Sequence, residues 1–277
     1  MTLLSEHTDR VSTRLGSLHV RTIGSGLPTV LWSSMFVDSH TWDRLLPLLQ
    51  RDRSVPRRVI LIDPPGLGLS EPLGRASSIT EAAEAAREAL DGLDVGGPVD
   101  WVGNAFGGHI GYELATDPTV VRSLVAISAP TEPIDNALRR KIAALRPILR
   151  LAGPVGPVRT AMITALITDA SAADPEIRSV VLDAIRRPPR SSLAWALQSF
   201  ILNRVDVTDR LPQIAVPSLF VSSDDRGDWT PAGAERAAKQ TPDARTTMIP
   251  DARTLIPLEQ PQLLASAMLD FWEHTER

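Results

Sequence analysis

Val99-Asp-Trp-Val-Gly-Asn-Ala-Phe-Gly-Gly-His109 is the stretch on which the fold turns. Residues 100–104 read as a buried strand, and a helical pattern opens at once over 106–116, so strand, tight turn and helix follow one another without a linker. Gly103 and Gly107 flank the turn. Lacking a Cβ, they let the strand and helix backbones approach closely around a residue held in a strained conformation. The residue at the apex is Ala105. Its methyl group can neither attack an electrophile nor accept a proton.

Outward from this stretch, short Val/Ile/Leu runs bounded by Gly, Pro and Asp recur at 29–34, 57–63, 123–128, 218–222 and 245–249, with a hairpin at 11–15 and 18–23 around Gly16. Amphipathic helical patterns occupy about 41–50, 79–93 and 259–275. That alternation implies an α/β protein with a largely parallel sheet. From 131 to 206 the strand signals stop and a proline-punctuated helical stretch takes over. The expected organisation is therefore a core of 1–130 and 207–277 carrying a helical insertion at 131–206. The insertion has 11 basic and 7 acidic residues, a balance of +4 against −8 for the remainder. This excess reads as a solvated basic face ahead of an anion-steering lid or a membrane-surface patch.

Composition narrows the chemistry. The 277 residues include no cysteine, which removes disulfides, thiolate nucleophiles and Cys-based zinc sites. A net charge of −4 provides no basic footprint for nucleic acid. No run approaches the roughly 18 uninterrupted apolar residues of a spanning helix, and Met1-Thr-Leu-Leu-Ser-Glu lacks a basic-then-apolar leader. A cytoplasmic protein with no membrane span is the expectation. No H-E-x-x-H, G-x-G-x-x-G or G-x-x-x-x-G-K-[S/T] pattern is present, so neither a metal nor another cofactor is assigned.

The 99–109 stretch resembles the strand–elbow–helix of the α/β-hydrolase family, whose turn usually reads G-x-S-x-G. Three more stations of that family follow in order: Leu31-Trp-Ser-Ser-Met-Phe-Val-Asp-Ser-His-Thr-Trp42, Ile62-Asp-Pro-Pro-Gly-Leu-Gly-Leu-Ser70 and Ile249-Pro-Asp-Ala-Arg-Thr-Leu-Ile-Pro-Leu-Glu-Gln-Pro261. The resemblance implies an eight-stranded, mostly parallel sheet flanked by helices, with 131–206 as a helical cap. It also exposes departures. Ala105 stands where the family places its nucleophile, and Thr254 where it places the catalytic His. Ser33-Ser34 replaces the common His-Gly, and Leu67 replaces a common His. The five histidines are His7, His19, His40, His109 and His274, so none falls between 110 and 273 and the usual Ser…Asp…His order cannot be completed.

What the resemblance leaves is an oxyanion hole built from backbone N–H groups, of Phe106 and of Met35 or its neighbour Ser34, which needs no particular side chain. Asp225, after the 218–222 strand, is the candidate acid or base, in a loop lengthened by Arg226 and Asp228. If it lay beside a second carboxylate, one of the pair would titrate high. Ser33, Ser34, His40, Trp195 and Trp229 are candidate pocket residues, and Phe200 and Trp42 are further aromatics that could line a pocket between insertion and core, although aromatics at helical spacing are mostly core. His109 reads as a packed, hydrogen-bonded histidine. The expected ligand is a small, largely apolar, carbonyl-bearing molecule. Two readings compete: a non-hydrolytic enzyme of lyase, cyclase or isomerase type, and a binding protein without chemistry. A third is an ordinary carboxylesterase or C–C hydrolase whose coded form is inactivated. Oligomeric state is not legible.

Overall fold

The structure is a computed structural model describing residues 6–50, 55–225 and 229–275. Its strands are β1 (Glu6–Thr13), β2 (Gly16–Ile23), β3 (Leu27–Trp32), β4 (Arg57–Ile62), β5 (Val99–Asn104), β6 (Val121–Ile127), β7 (Ser218–Ser223) and β8 (Ala244–Ile249). They form one sheet in the order β1-β2-β4-β3-β5-β6-β7-β8. β1 and β2 make the hairpin around Gly16, β2 runs antiparallel to β4, and the remaining pairings are parallel.

Parallel strands covered on both sides need apolar residues at odd and even positions alike, which is why they read as continuous runs. Leu31, Leu61, Val102 and Val125 point to one side, where they join Leu264, Met268 and Trp272 of the closing helix. Their neighbours Val30, Ile60, Trp101 and Leu124 point to the other, joining Ala82, Ala86 and Ile110. Each such side chain, fully buried, contributes on the order of 2 kcal/mol of transfer free energy.

The helices are α1 (Leu46–Leu49), α2 (Ile79–Gly92), α3 (Phe106–Leu114), α4 (Asn136–Ala152), α5 (Gly156–Leu166), α6 (Asp169–Ala173), α7 (Pro175–Arg186), α8 (Arg190–Ala196), α9 (Pro231–Gln240), α10 (Ile256–Glu259) and α11 (Pro261–Thr275). A π-helical segment, Leu197–Leu202, continues α8. Prolines account for two departures from the sequence reading. The helix expected over 41–50 is a 3₁₀ turn at Ser39–Trp42, followed by α1 with Pro47 in its first turn. The closing helix expected from 259 begins instead at Pro261, after the short α10. A proline lacks the N–H that would continue the preceding turn but fits the first turn of a new helix.

Everything between β6 and β7 is helix or connecting loop. The two ends of 131–206 meet, the Val207 amide donating to the Thr131 carbonyl at 2.9 Å. Side chains of this segment bond to loops leaving the sheet. Ser192 Oγ accepts from the Leu73 amide at 2.9 Å and donates to the Gly66 carbonyl at 2.6 Å. Arg187 pairs with the buried Asp38 carboxylate in the loop after β3. The cavity described next lies between these helices and the carboxyl ends of the strands, where open α/β sheets place their crevices.

Candidate active site

β5 delivers the chain into the turn and α3 carries it away, leaving Ala105 at φ 47°, ψ −101°, a left-handed conformation that costs a non-glycine residue on the order of 1–3 kcal/mol. The Ala105 amide is held by the Ile127 carbonyl at 2.7 Å. Both flanking glycines are obligatory. A Cβ on Gly103 would come within 2.1 Å of the Gly107 carbonyl group, and one on Gly107 within 2.3 Å of the Trp32 carbonyl oxygen. The backbone therefore has the strained elbow that normally lifts a reactive side chain into a cavity, and the side chain lifted is a methyl.

Ala105 opens onto a cavity of about 420 Å³. The loop after β3 contributes Ser34, Met35 and Phe36, and α3 contributes Phe106 and His109. Ile134, α4, α5 and the π-helical segment close the far side, with Leu138, Ile142, Leu145, Leu166, Phe200 and Ile201. Phe106 and Phe200 stack across it with centroids 4.2 Å apart. A second, smaller space of about 110 Å³ shares Phe36, Ile142, Leu145, Ala161, Ala165 and Ile201 and adds only apolar side chains. The walls carry few polar groups: Ser34, His109, Lys141, Arg204 and Thr254.

Phe106 heads α3, so its amide has no intrahelical acceptor, and Ala105 provides no capping side chain. With Met35 on the facing loop, the two positions singled out for backbone donors both line the cavity. Thr254 is there too, but its Oγ1 donates to the Ala165 carbonyl at 2.9 Å.

His109 is the one imidazole on the cavity wall. Its Nε2 faces the Pro130 carbonyl at 2.8 Å, which makes that nitrogen the protonated one, and its Nδ1 has no hydrogen-bond partner. Burial, reinforced by the nearby Arg204 charge, pushes its pKa down to about 3. An imidazole so depressed is a poor base, and with Nδ1 unpartnered it makes no hydrogen bond to Ser34. No hydroxyl–imidazole couple is therefore assembled in the cavity among the described residues.

Several expected pocket residues lie elsewhere. Ser33 is fully buried behind the wall, its Oγ accepting from Trp42 Nε1 at 2.9 Å. His40 is half exposed and bonds Asp43 at 2.8 Å, facing a separate cleft with Asp38 and Arg187. Trp195 lies under the Arg146 and Arg150 guanidiniums of α4, 5.5 and 5.7 Å from its ring centroid. Trp229 is buried against Phe220 at 5.5 Å, consumed by core packing. Asp225 is also off the cavity wall; Arg253 Nη2 lies 2.7 Å from its Oδ2 and 3.6 Å from Oδ1 of a second carboxylate, Asp169, so one guanidinium sits between the two. Arg226 and Asp228, read as lengthening that loop, lie outside the described residues.

Sequence reading missed Arg253. Nearly fully buried, it binds the Thr164 and Ile167 carbonyls through Nη1 while Nη2 holds Asp225, so a guanidinium occupies the Asp225 carboxylate at the loop that carries Thr254. The only signal was its place immediately before Thr254. The contribution of Lys141 and Arg204 to the wall had no local signature at all. No cluster of three or more His, Cys, Asp or Glu side chains is placed to hold a metal among the described residues, and no described helix is long and apolar enough to cross a membrane.

A mostly parallel sheet with a glycine-flanked elbow and a cavity over the strand ends defines an α/β-hydrolase fold. The chain belongs to the alpha/beta hydrolase family, whose model matches residues 24–267. Solved structures agree at the level of the fold. An esterase from Thermogutta terrifontis superposes with a TM-score of 0.84 at 22% identity, covering 98% of this chain and 100% of that one. An enol-lactonase from Burkholderia xenovorans gives 0.85 at 20% identity, covering 96% and 100%. The carboxylesterase CesB from Bacillus subtilis gives 0.77 at 21% identity, covering 97% and 92%.

Proposed function

We propose that this chain binds a small, largely apolar, carbonyl-bearing molecule in the cavity over Ala105 and does not hydrolyse it by acyl transfer. Residues 131–206 act as a cap over a core formed by 1–130 and 207–277, and the Val207–Thr131 hydrogen bond at the neck of the insertion supports that division. The single observation carrying the reading is the elbow: a strained backbone presents the Ala105 methyl, while Thr254 spends its hydroxyl on a backbone carbonyl and Asp225 is paired with Arg253. The amides of Phe106 and Met35 remain as donors for a carbonyl oxygen. That the structural neighbours include an enol-lactonase and esterases, both acting on carbonyl compounds, fits a cavity of this chemistry.

His109, neutral and weakly basic, with Nε2 on the Pro130 carbonyl and Nδ1 buried, is a poor proton abstractor. Binding without conversion is thus favoured over lyase-, cyclase- or isomerase-type turnover. The test is thermal-shift and native mass spectrometry with short acyl esters, lactones and ketones. One-to-one complexes from which the compound is recovered unchanged are expected; catalytic conversion of any of them overturns the binding reading.

A second reading, an inactivated hydrolase, draws on the retained elbow. Ala105→Ser with Thr254→His restores a hydroxyl and an imidazole but leaves Asp225 on Arg253, and loss of that orientation costs on the order of 10⁴ in rate. Trace esterase activity is expected from the double variant. A kcat/KM near 10⁴ M⁻¹s⁻¹ or above, typical of roughly the lower end for working enzymes, would establish that hydrolytic geometry is intact and support the second reading.

A further inference from the structure

Residues 136–168, which contain α4 and α5, carry six basic side chains, Arg139, Arg140, Lys141, Arg146, Arg150 and Arg159, and no Asp or Glu. One face of α4 looks into the cavity, through Leu138, Ile142 and Leu145. The other faces solvent, and only Leu149 of the whole helix is fully buried. That outer surface is not simply polar. Leu151 is 75% exposed, the highest value for any large apolar side chain among the described residues, and Val155 (46%) and Ile148 (41%) accompany it at the α4–α5 corner. Gly153, at φ +81°, turns the chain there.

Exposed Leu, Val and Ile on a hairpin that carries six basic side chains, with Asp135 at the head of α4 facing Arg140 and Lys141, form the pattern of an interfacial helix. We infer that the α4–α5 hairpin docks on an anionic lipid surface, with Ile148, Leu151 and Val155 entering the headgroup boundary and the exposed Arg139, Arg140 and Lys141 pairing with lipid phosphates or carboxylates. A second copy of the chain fits this face poorly. Three side chains fall far short of the roughly 800 Å² per partner of a stable interface, and a two-fold contact would set six like charges against their own images. The bilayer supplies what the face lacks, negative charge and an apolar layer. Docking also places the cavity, whose outer rim includes the exposed Leu138 and Lys141, beside a phase in which an apolar ligand dissolves. The basic excess of 131–206 is then a contact surface rather than a solvated face.

The experiment is co-sedimentation of the full chain with vesicles of phosphatidylcholine alone and of phosphatidylcholine containing one third phosphatidylglycerol, read independently of any cavity ligand. Binding to the anionic vesicles only, released by high salt as screening predicts, is the expected result. Arg139→Glu with Arg140→Glu lowers the partition coefficient at least about tenfold. Leu151→Ser with Val155→Ser, which leaves the charge unchanged, lowers it while leaving the salt dependence in place. All four positions are exposed, and circular dichroism of each variant checks its fold; should a variant misfold, the lipid and salt comparison on the unaltered chain decides. Equal sedimentation with neutral vesicles, none with anionic ones, or self-association through Leu151 and Val155 without vesicle binding overturns the inference.

Discussion

Acidification should destabilise this protein through one residue in particular. His109 is buried, hydrogen-bonded through Nε2 to Pro130 and close to Arg204, and its pKa falls from an ordinary 6.5 to about 3. Between those two values the unfolded chain binds a proton at this site and the folded chain does not, so folding stability rises with pH across the window. The contribution is complete above pH 6.5 and lost as pH falls toward 3. At 1.36 kcal/mol per pH unit, about 2 kcal/mol disappears between pH 6.5 and roughly pH 5, and on the order of 4 kcal/mol over the whole window. His40 works in the opposite sense: its pKa is raised, chiefly by its hydrogen bond to Asp43, so its contribution is present below 6.5 and lost above.

The variant His109→Gln isolates the first effect, because the Gln amide can donate to the Pro130 carbonyl but does not titrate. Urea unfolding of both proteins across this range should show the unaltered chain losing about 2 kcal/mol by roughly pH 5 relative to the variant, with the His40 contribution cancelling in the difference. Above pH 6.5 the variant should differ by no more than about 1–3 kcal/mol, the cost of disturbing one buried polar group. Parallel curves for the two proteins, or a His109 ring titrating near 6.5 by NMR, would refute the assignment.

Gly107→Ala, whose Cβ would meet the Trp32 carbonyl oxygen at 2.3 Å, should lower stability by roughly 2–4 kcal/mol in chemical denaturation, although the side chain added is the smallest available. Asp225→Asn should leave ligand binding unchanged in calorimetry, because this carboxylate is off the cavity wall and bound to Arg253, and should cost about 1–3 kcal/mol of stability through the weakened pair. Ala161→Trp places an indole where the two cavities adjoin and should abolish binding of ligands large enough to reach both, with an unchanged circular dichroism spectrum.

The sheet was legible because its strands are covered on both faces, which forces continuous apolar runs, and because the close approach at Gly103 and Gly107 permits no other residue type. Boundaries failed where proline reset a helix, at Pro47 and Pro261. That Ala105 and Thr254 share one cavity wall followed from the register of the motifs alone. The cavity wall was harder. Lys141 and Arg204 come from 131–206, whose arrangement over the core depends on contacts between distant residues such as Arg187 with Asp38 and Ser192 with Gly66. Aromatic type alone could not separate Trp229, absorbed into the core beside Phe220, from Phe200, which stacks on Phe106 over the cavity. Arg253 shows the same limit: nothing local says that a guanidinium will claim Asp225.

Covalent trapping of the cavity is the most direct measurement. An activated fluorophosphonate, which phosphorylates an oxygen nucleophile only when a base sharpens it and an oxyanion hole receives the phosphoryl oxygen, is incubated with the native chain and the intact mass recorded. With a methyl at 105 and no hydroxyl–imidazole couple on the wall, the mass stays that of the unmodified chain, while Ala105→Ser with Thr254→His serves as the comparison. A stoichiometric adduct on the unaltered protein, mapped to Ser34 or any other cavity residue, would contradict the account.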